Sequence, residues 1–488
     1  MATHSLNPLI RLCRDSFVRN FQGVGYISNQ RTKDDRIYDE VGGVFLQTLS
    51  RFPQTLDDAV RPLIEKFRGV AFEEMRSDYL QFVAELESSG FVVTGSSLAE
   101  LDNNDLRFTY GAEWVSIKEQ GHSILNPDGK QPTDSETFLA ERFSDSPLLL
   151  NLQIELTSNC NESCKHCYLP RERERLMNNS VVVQRVIAEY AQMGGLLLVL
   201  SGGEPMLHPD LTAFLKLARE HDLCIALLSN ATLLTRSIIE VLAEVGMSQV
   251  QVSIYSLDPA EHDEITRVPG SLAKTLASID ALIEANIPLQ ISCPVMNTNY
   301  RSYPSVLKWA KSLGLKALTD FIMIARTDFT MDNVSERLDE AKIREFLANL
   351  AQEDATSRST FGQEANRHAK GLRSPEKRVC EVGRERLCLA ANGKYYPCSG
   401  WQGMCVGDAN TTSLQDVWKH SSQLAQLRRV VWGSFPKCIT CADSHSCKMC
   451  LVRNFNESGG DMFKINEHFC RVARINREVT EQHSASNK

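Results

Sequence analysis

Three cysteines in one short stretch constrain this chain more than any other feature. Cys160, Cys164 and Cys167 are separated by three and then two residues, and Tyr168 follows directly. Three thiolates on one loop suit a cubane iron–sulfur cluster that leaves one iron without a protein ligand, whereas electron-transfer clusters generally have four cysteine ligands. A metal with an open coordination position can bind a second molecule and take part in chemistry.

Zinc is the alternative reading of these cysteines. Structural zinc takes four Cys or His ligands, and His166 is the local candidate for the fourth. Because His166 lies between two of the cysteines, it could not easily join the same tetrahedron. The spacing with its trailing Tyr168 resembles the cluster motif of the radical S-adenosylmethionine (SAM) enzymes. This resemblance implies a 4Fe–4S cluster at Cys160, Cys164 and Cys167, with SAM on the open iron.

Composition excludes several other functions. The 488 residues predict about three domains, and 42% hydrophobic with 23% charged residues is typical of a globular protein. The net charge of −8 argues against a nucleic-acid surface. No apolar run approaches the roughly 18 residues of a membrane span, and the N-terminus carries no secretory signal. We therefore expect a cytoplasmic protein without a nucleic-acid or membrane partner.

The first predicted domain spans residues 8–95. Two short strands around a polar turn, 23–27 and 36–38, predict a hairpin, and Thr55 with Asp58 is typical of a helix start. This winged-helix pattern lacks the basic stripe of a DNA-binding domain. It resembles instead the peptide-binding chaperone of pyrroloquinoline-quinone synthesis (PqqD), which implies recognition of a precursor's leader peptide. The remaining elements are helices over 41–52, 56–67 and 72–89 and a strand over 90–94.

The central part of the chain alternates strands with helices. Residues 96–147 are polar and predict a linker, and residues 326–375 predict a helical bridge. Between them, residues 148–325 predict an α/β fold with a parallel sheet. Six strand–helix units are fewer than the eight of a closed barrel, and radical SAM enzymes share such a partial (β/α)6 TIM-like barrel. The predicted strands are 152–156, 196–200, 224–228, 249–254, 289–295 and 318–324.

Resemblance also assigns the SAM-binding residues. Gly202, Gly203 and Glu204 follow the second predicted strand, where glycines allow a ligand to approach the backbone. They resemble the family segment that contacts the SAM amino group; a tight turn is the alternative. The resemblance also implies contacts to the ribose, the carboxylate or the adenine of SAM. The residues concerned lie after the cysteines, at strand ends or in a following loop, and they are Tyr168, Ser229, Asn230, Ser253, Arg267, Val295 and Asn297.

Nine of the fifteen cysteines lie between positions 380 and 470. Without a secretion signal this density indicates metal ligands rather than disulfides. The pattern over 376–480 resembles the SPASM domain and implies two auxiliary 4Fe–4S clusters, although two residues separate Cys447 from Cys450 where the family usually has three. Two zinc sites are the alternative, and Cys405 is left over. The implied ligand sets are Cys380, Cys388, Cys398 and Cys450 for one cluster, and Cys438, Cys441, Cys447 and Cys470 for the other.

Together these parts resemble the radical SAM peptide maturases. The resemblance implies cleavage of SAM, hydrogen abstraction from a ribosomal precursor peptide, and a thioether, carbon–carbon or carbon–oxygen cross-link, with flavodoxin or ferredoxin as electron donor. A sulfatase-maturing oxidation, a quinone-cofactor maturase and a non-enzymatic iron–sulfur peptide-binding or electron-carrier protein are the alternatives. Asp320, Arg326 and Asp328 lie at the end of the last predicted strand. They could contact the substrate or assist proton removal, or they could form salt bridges that only stabilise the strand end. Cys13, Cys224 and Cys293 have apolar neighbours and predict core positions.

Overall fold

The computed structural model describes residues 7–38, 40–110, 135–354 and 374–486. Its strands belong to one large sheet and two small ones. In chain order they are β1 (Leu9–Leu12), β2 (Ser16–Phe21), β3 (Val24–Asn29), β4 (Asp34–Tyr38), β5 (Gln54–Thr55), β6 (Val92–Gly95), β7 (Asn151–Thr157), β8 (Leu197–Gly202), β9 (Cys224–Ser229), β10 (Gln249–Ser253), β11 (Leu289–Pro294), β12 (Lys316–Asp320), β13 (Arg386–Leu389), β14 (Lys394–Tyr396) and β15 (Gly407–Asp408).

Helices surround these sheets, and no described helix is both long and apolar enough to cross a membrane. In chain order they are α1 (Glu40–Leu46), α2 (Leu56–Lys66), α3 (Phe72–Ser88), α4 (Leu98–Asn104), α5 (Ser135–Arg142), α6 (Ser180–Gln192), α7 (Leu211–Glu220), α8 (Arg236–Val245), α9 (Pro259–Thr266), α10 (Ser271–Glu284), α11 (Tyr303–Ser312), α12 (Glu340–Asp354), α13 (Leu414–His420), α14 (Ser422–Leu427), α15 (Pro436–Ile439), α16 (Leu451–Ser458) and α17 (Glu467–Ser486).

The six strands β7 to β12 form a parallel sheet in chain order. This confirms the predicted partial barrel, and it brings the carboxyl ends of all six strands to one edge. The last strand differs from its prediction, since pairing ends at Asp320, whose carboxylate accepts a hydrogen bond from the Ile322 N–H. Phe321 and Met323 are buried beyond the strand, so the apolar run that predicted a longer strand reflects packing.

The C-terminal region extends this same sheet. Strand β13 pairs in parallel with β7, with Cys388 opposite Gln153, and β14 and β15 continue antiparallel beyond it. One hydrophobic core joins the two parts, with Trp401 and Phe435 alongside strand residues such as Leu152. The metal-binding region predicted after residue 376 therefore packs as a continuation of the barrel.

The N-terminal domain has a core of its own, centred on residues such as Tyr79 and Phe91. The predicted hairpin is present as β3 and β4, while β2 adds a third strand and β1 pairs with β5 and β6. Thr55 caps α2 as predicted, accepting a hydrogen bond from the Asp58 N–H at 3.2 Å. The described parts of the predicted linker 96–147 contain two helices, and the fully buried Leu101 of α4 packs on this domain. Residues 111–134 and 355–373, in the predicted linker and bridge, lie outside the described residues.

A buried tyrosine tests how α6 is held on the sheet. Tyr190 is fully buried, and its hydroxyl lies 2.6 Å from the Leu150 carbonyl while accepting a hydrogen bond from the Leu196 N–H at 3.1 Å. Tyr190→Phe removes these buried hydrogen bonds, while the Leu150 carbonyl keeps the Leu197 N–H at 2.9 Å, so we expect a loss of about 1 kcal/mol in the free energy of unfolding. Urea unfolding followed by circular dichroism measures it.

Tyr395→Phe is the matched control. Tyr395 is also fully buried, but its hydroxyl has no hydrogen-bond partner among the described residues. We expect this variant to match or exceed the stability of the wild type. Equal losses from both substitutions would contradict the role assigned to the Tyr190 hydroxyl.

Candidate active site and metal centres

The loop with Cys160, Cys164 and Cys167 begins where β7 ends. Backbone hydrogen bonds tie it to the end of α9, from the Ser163 N–H to the Thr266 carbonyl at 3.0 Å and from the Lys165 N–H to the Ile265 carbonyl at 2.9 Å. This pairing presents the loop at the carboxyl edge of the sheet, where parallel α/β folds place their active sites.

The three cysteines are partly buried. Burial raises the pKa of each, to about 12 for Cys160, and the charges of Cys160 and Cys167 further raise the pKa of Cys164. Iron binds thiolates, so cluster assembly here displaces protons that the metal-free site holds firmly. No three described Cys, His, Asp or Glu side chains surround one metal position. In a cubane cluster each cysteine binds a different iron, so the three sulfurs do not need to surround one metal position. Their arrangement is therefore consistent with a cluster.

Two polar side chains contact these sulfurs from the barrel. The Asn230 amide nitrogen lies 3.9 Å from the Cys160 sulfur, and the Tyr255 hydroxyl lies 3.8 Å from that of Cys164. Tyr255 also packs against the buried His166 ring, with centroids 5.0 Å apart. Burial lowers the pKa of His166 to about 4, so the ring is neutral at pH 7. The sequence motifs did not reveal Tyr255, although its place two residues after β10 is a strand-end signal.

Gly202 and Gly203 run directly along the cysteine loop. The Gly203 N–H donates to the Thr157 carbonyl at 2.7 Å, and the Glu204 N–H donates to the Asn159 carbonyl at 2.8 Å. A Cβ on Gly203 would lie 2.1 Å from the Asn159 oxygen, and Gly202 has a φ of +134°. Only glycine fits this close approach. This partly buried backbone beside the three thiols fits a ligand shared between loop and glycines, as the SAM resemblance requires.

The Glu204 side chain points into the protein. It is fully buried, and its carboxylate accepts hydrogen bonds from the Ser229 hydroxyl at 2.8 Å, the Asn230 N–H at 2.8 Å and the Met206 N–H at 3.0 Å. Burial raises the pKa of Glu204 even so. The carboxylate therefore links the end of β8 to the end of β9, and the Ser229 hydroxyl is already engaged in this contact. A SAM contact from this segment would have to come from its backbone.

The other residues predicted to bind SAM differ in their exposure and in whether their side chains already have partners. Arg267 is exposed with a φ of +60° just beyond α9, and its guanidinium has no hydrogen-bond or ion-pair partner within the described ranges. Ser253 hydrogen-bonds with Tyr255. Val295 is fully buried, while Asn297 donates to the Arg337 carbonyl at 2.7 Å. Arg267 is therefore the most accessible cation for a ligand carboxylate.

Arg326 holds the cysteine loop in place. It is almost fully buried, donates to the Cys167 carbonyl at 2.8 Å and to the Leu169 carbonyl, and pairs with Asp332 at 2.6 Å. Asp328 accepts a hydrogen bond from the Thr330 hydroxyl at 2.7 Å. Of the two roles considered for this strand end, the salt bridge therefore applies to Arg326, which also contacts the backbone of the cysteine loop.

Glu155 is a buried carboxyl that the motif analysis did not single out. It accepts hydrogen bonds from the Tyr168 hydroxyl at 3.0 Å and from the Gln402 amide at 2.8 Å, so it joins the cysteine loop to the C-terminal region. Burial raises its pKa to about 7. The available signal was an acid inside the predicted buried strand 152–156, because such a residue needs specific partners.

The C-terminal cysteines form two groups. Burial raises the pKa of Cys380 to about 11, with Cys450 and Cys398 adding to it, and Cys398 likewise acts on Cys388. In the second group, the pKa of Cys470 is raised by burial and by Cys447 and Cys441. A small cavity there is lined by sulfurs of both groups, namely Cys438, Cys441, Cys447, Cys450 and Cys470.

The remaining cysteines lie apart from these groups. Cys405 is exposed, and its sulfur lies 3.4 Å from the Gly407 carbonyl. Cys13, Cys224 and Cys293 are buried, as expected for core positions. Cys450 thus lies beside members of both predicted ligand sets, and the division of the eight thiols into two four-cysteine clusters stays a prediction.

Comparison with known families agrees with this geometry. Residues 154–310 match the radical SAM superfamily, and residues 380–450 match the SPASM iron–sulfur cluster-binding domain. The chain therefore contains a radical SAM domain and, after it, a SPASM domain. The first match covers the end of β7 and all of β8 to β11, and it contains the cysteine loop and the Gly202–Gly203 segment. SAM and iron–sulfur clusters are accordingly its cofactors.

Individual relatives differ in how much of the chain they cover. The AdoMet-dependent heme synthase of Methanosarcina barkeri is 28% identical over 62% of this chain and 92% of its own length. The PqqA peptide cyclase of Rhodopseudomonas palustris is 25% identical over 62% of this chain and 81% of its own. The crystal structure of Streptococcus suis SuiB bound to precursor peptide SuiA has a TM-score of 0.63 at 15% identity, covering 94% of this chain and 99% of SuiB.

Glu155 makes the stability of this radical SAM protein depend on pH. Its pKa is about 7 in the folded protein and 4.5 ordinarily, so between these values the native state holds a proton that the unfolded chain releases. Stability is therefore lost as the pH rises through about 7. Glu155→Gln removes this loss, and we expect the variant to gain about 2–3 kcal/mol relative to wild type between pH 4.5 and pH 8.

Thermal melting of the metal-free proteins from pH 4.5 to pH 8 measures the difference. Glu172→Gln is the control, since Glu172 is exposed and lies near the same loop. Parallel melting curves for wild type and Glu155→Gln across this range would show that Glu155 does not titrate there.

Proposed function

We propose that this enzyme modifies a ribosomally made precursor peptide, abstracting a hydrogen atom and installing a thioether, carbon–carbon or carbon–oxygen cross-link. The observation that carries the proposal is the likeness to SuiB over 94% of the chain. A match of that extent includes the N-terminal domain, whereas the sequence matches to the heme synthase and the peptide cyclase cover 62% of the chain.

Each part of the site has a defined task in this proposal. Cys160, Cys164 and Cys167 hold the cluster, the Gly202–Gly203 backbone receives the SAM amino group, and Arg267 pairs with the SAM carboxylate. Bound SAM supplies the 5′-deoxyadenosyl radical that attacks the substrate. Glu204 joins the strand ends around the ligand, and the barrel keeps water from the reacting atoms.

The N-terminal domain serves as the leader-binding module. Its hairpin sheet has the order β2-β3-β4, so β2 and β4 are edge strands within the described sheet. Edge strands offer unpaired backbone groups on which a peptide can add a further strand. A captured leader would raise the local concentration of the core peptide at the barrel.

The full cofactor complement in this proposal is three 4Fe–4S clusters. The auxiliary clusters use Cys380, Cys388, Cys398 and Cys450, and Cys438, Cys441, Cys447 and Cys470. They accept an electron when the substrate radical is oxidised, and flavodoxin or ferredoxin reduces the SAM-binding cluster. Cysteines that bind clusters have to remain reduced, which requires a reducing compartment, so we place the enzyme in the cytoplasm.

A heme-precursor reaction is the second candidate, because the Methanosarcina barkeri heme synthase shares 28% identity. It leaves the N-terminal domain without a task. Oxidation of a protein side chain and cyclisation of a quinone precursor are the variants within peptide chemistry. Each can also remove two hydrogens, so tandem mass spectrometry that locates the changed residue or the new bond distinguishes them.

The primary experiment measures SAM cleavage and peptide modification together. The reconstituted enzyme is reduced anaerobically with SAM and with the short peptide encoded beside its gene. We expect 5′-deoxyadenosine and a peptide lighter by two hydrogens, and neither from the Cys160→Ala/Cys164→Ala/Cys167→Ala variant. Deoxyadenosine with an unmodified peptide, but with turnover of a heme precursor, would favour the second candidate.

Iron content tests the auxiliary ligand sets. Wild type should bind about twelve irons, while Cys388→Ser and Cys441→Ser should each lose up to about four, from different clusters. Cys405→Ser is the control and should keep the full content, since Cys405 is exposed. Iron analysis with electron paramagnetic resonance of the reduced proteins gives the count. Loss of iron from Cys405→Ser with none from Cys388→Ser would exchange the two assignments.

A further inference from the structure

A cavity of about 820 Å³ lies on the side of the barrel opposite the cysteine loop. Gln249, Leu289 and Lys316 line it from the first residues of β10, β11 and β12, whereas the cysteine loop follows the last residue of β7. The turns of the N-terminal domain form the opposing wall. The volume is within the range of ligand-binding pockets.

Positive charge dominates the walls of this cavity. Five cationic side chains line it, Arg14, Arg31, Lys33, Arg107 and Lys316. Among the described lining residues Asp15 is the acid, and it is buried and accepts a hydrogen bond from Gln30 at 2.8 Å. In a chain with a net charge of −8, five cations around one opening are a strong local excess.

Not all of these cations have a counter-charge among the described side chains. Lys33 donates to the Ser248 hydroxyl at 3.2 Å, and its pKa is lowered by burial and by the neighbouring charge of Lys316. The side chains of Arg107 and Lys316 have no ion-pair or hydrogen-bond partner in the described parts of the chain. Like charges brought together at a cost are relieved by a bound anion.

The cavity also has an apolar, aromatic side. The Phe108 and Tyr110 rings pack edge to face with centroids 4.8 Å apart, and the Tyr110 hydroxyl donates to the Ile287 carbonyl at 2.6 Å. Met247 and Pro288 line the same side. A small inorganic anion would leave this apolar surface unused, whereas a peptide with acidic and apolar side chains would contact both.

We infer that this cavity between the N-terminal domain and the barrel binds an acidic segment of the substrate peptide, at a site separate from the radical chemistry. The inference rests on the proposed peptide substrate. It adds a second anchoring point, formed by both domains, so that the bound peptide fixes the N-terminal domain against the barrel.

The test uses a synthetic probe, because the natural peptide is unidentified. A fluorescein-labelled octapeptide that alternates Glu with Leu is titrated with the reconstituted full-length enzyme, and fluorescence anisotropy reports binding. An otherwise identical peptide with Gln in place of Glu measures the contribution of charge. We expect binding of the acidic peptide alone, weakened by added salt because exposed charge pairs are screened.

Arg107→Glu/Lys316→Glu is the informative variant, since it removes two exposed charges and keeps the hydrogen bonds between the domains. We expect at least about a tenfold weaker affinity for the acidic peptide. Lys394→Glu/Lys419→Glu makes the same charge change at exposed positions of the C-terminal region and should bind like wild type. Deoxyadenosine formation should be unchanged in both variants.

Several outcomes would overturn the inference. Equal binding of the two peptides, or equal weakening by both double variants, would show no charge-specific site. Binding of inorganic tripolyphosphate without the acidic peptide would assign the cavity to phosphate. If the peptide binds only after residues 111–134 are replaced by a short Gly–Ser linker, the cavity would be assigned to that segment of the chain as its occupant and not to the substrate peptide. In each case modification of the natural peptide would still test the proposed function separately.

Discussion

The position of β7 between β8 and β13 is the constraint on which the rest of the structure depends. On one side, the end of β7 pairs with Gly203 and Glu204, which places the glycine backbone beside the cysteine loop. On the other side, β13 brings Cys388 into the same sheet. Because parallel strands in register end at the same edge, one strand aligns the cysteine loop, the glycine segment and the strand that carries Cys388.

Burial of ionisable groups around this strand has a chemical consequence. Glu155 lies between Tyr168 and Gln402 with its pKa raised to about 7, and burial also raises the pKa of each of the three loop thiols. Such groups are unfavourable in a dry site unless they are bonded or bind metal. Cluster assembly at this site therefore has to displace the protons that these groups hold.

The N-terminal domain connects to this chemistry only through its packing on the barrel. Its own core is separate, yet Arg19 donates to the Gly195 carbonyl at 2.8 Å, and Gln30 accepts a hydrogen bond from the Cys224 thiol at 3.2 Å. A polar, charged contact of this kind can be strengthened by a ligand bound across it. The basic cavity lies at this contact, which links peptide capture to the arrangement of the domains.

Sequence alone determined the chemistry of the chain and its order of elements. Cysteine spacing is local, so Cys160, Cys164 and Cys167 could be read directly, and apolar periodicity predicted the six parallel strands. Tertiary structure decided the contacts between distant segments: that the Glu204 carboxylate bonds Ser229, that Glu155 meets Gln402, and that β13 joins the barrel sheet. These depend on which strands pair and in what register, and a linear pattern of residue types does not encode that pairing across hundreds of residues.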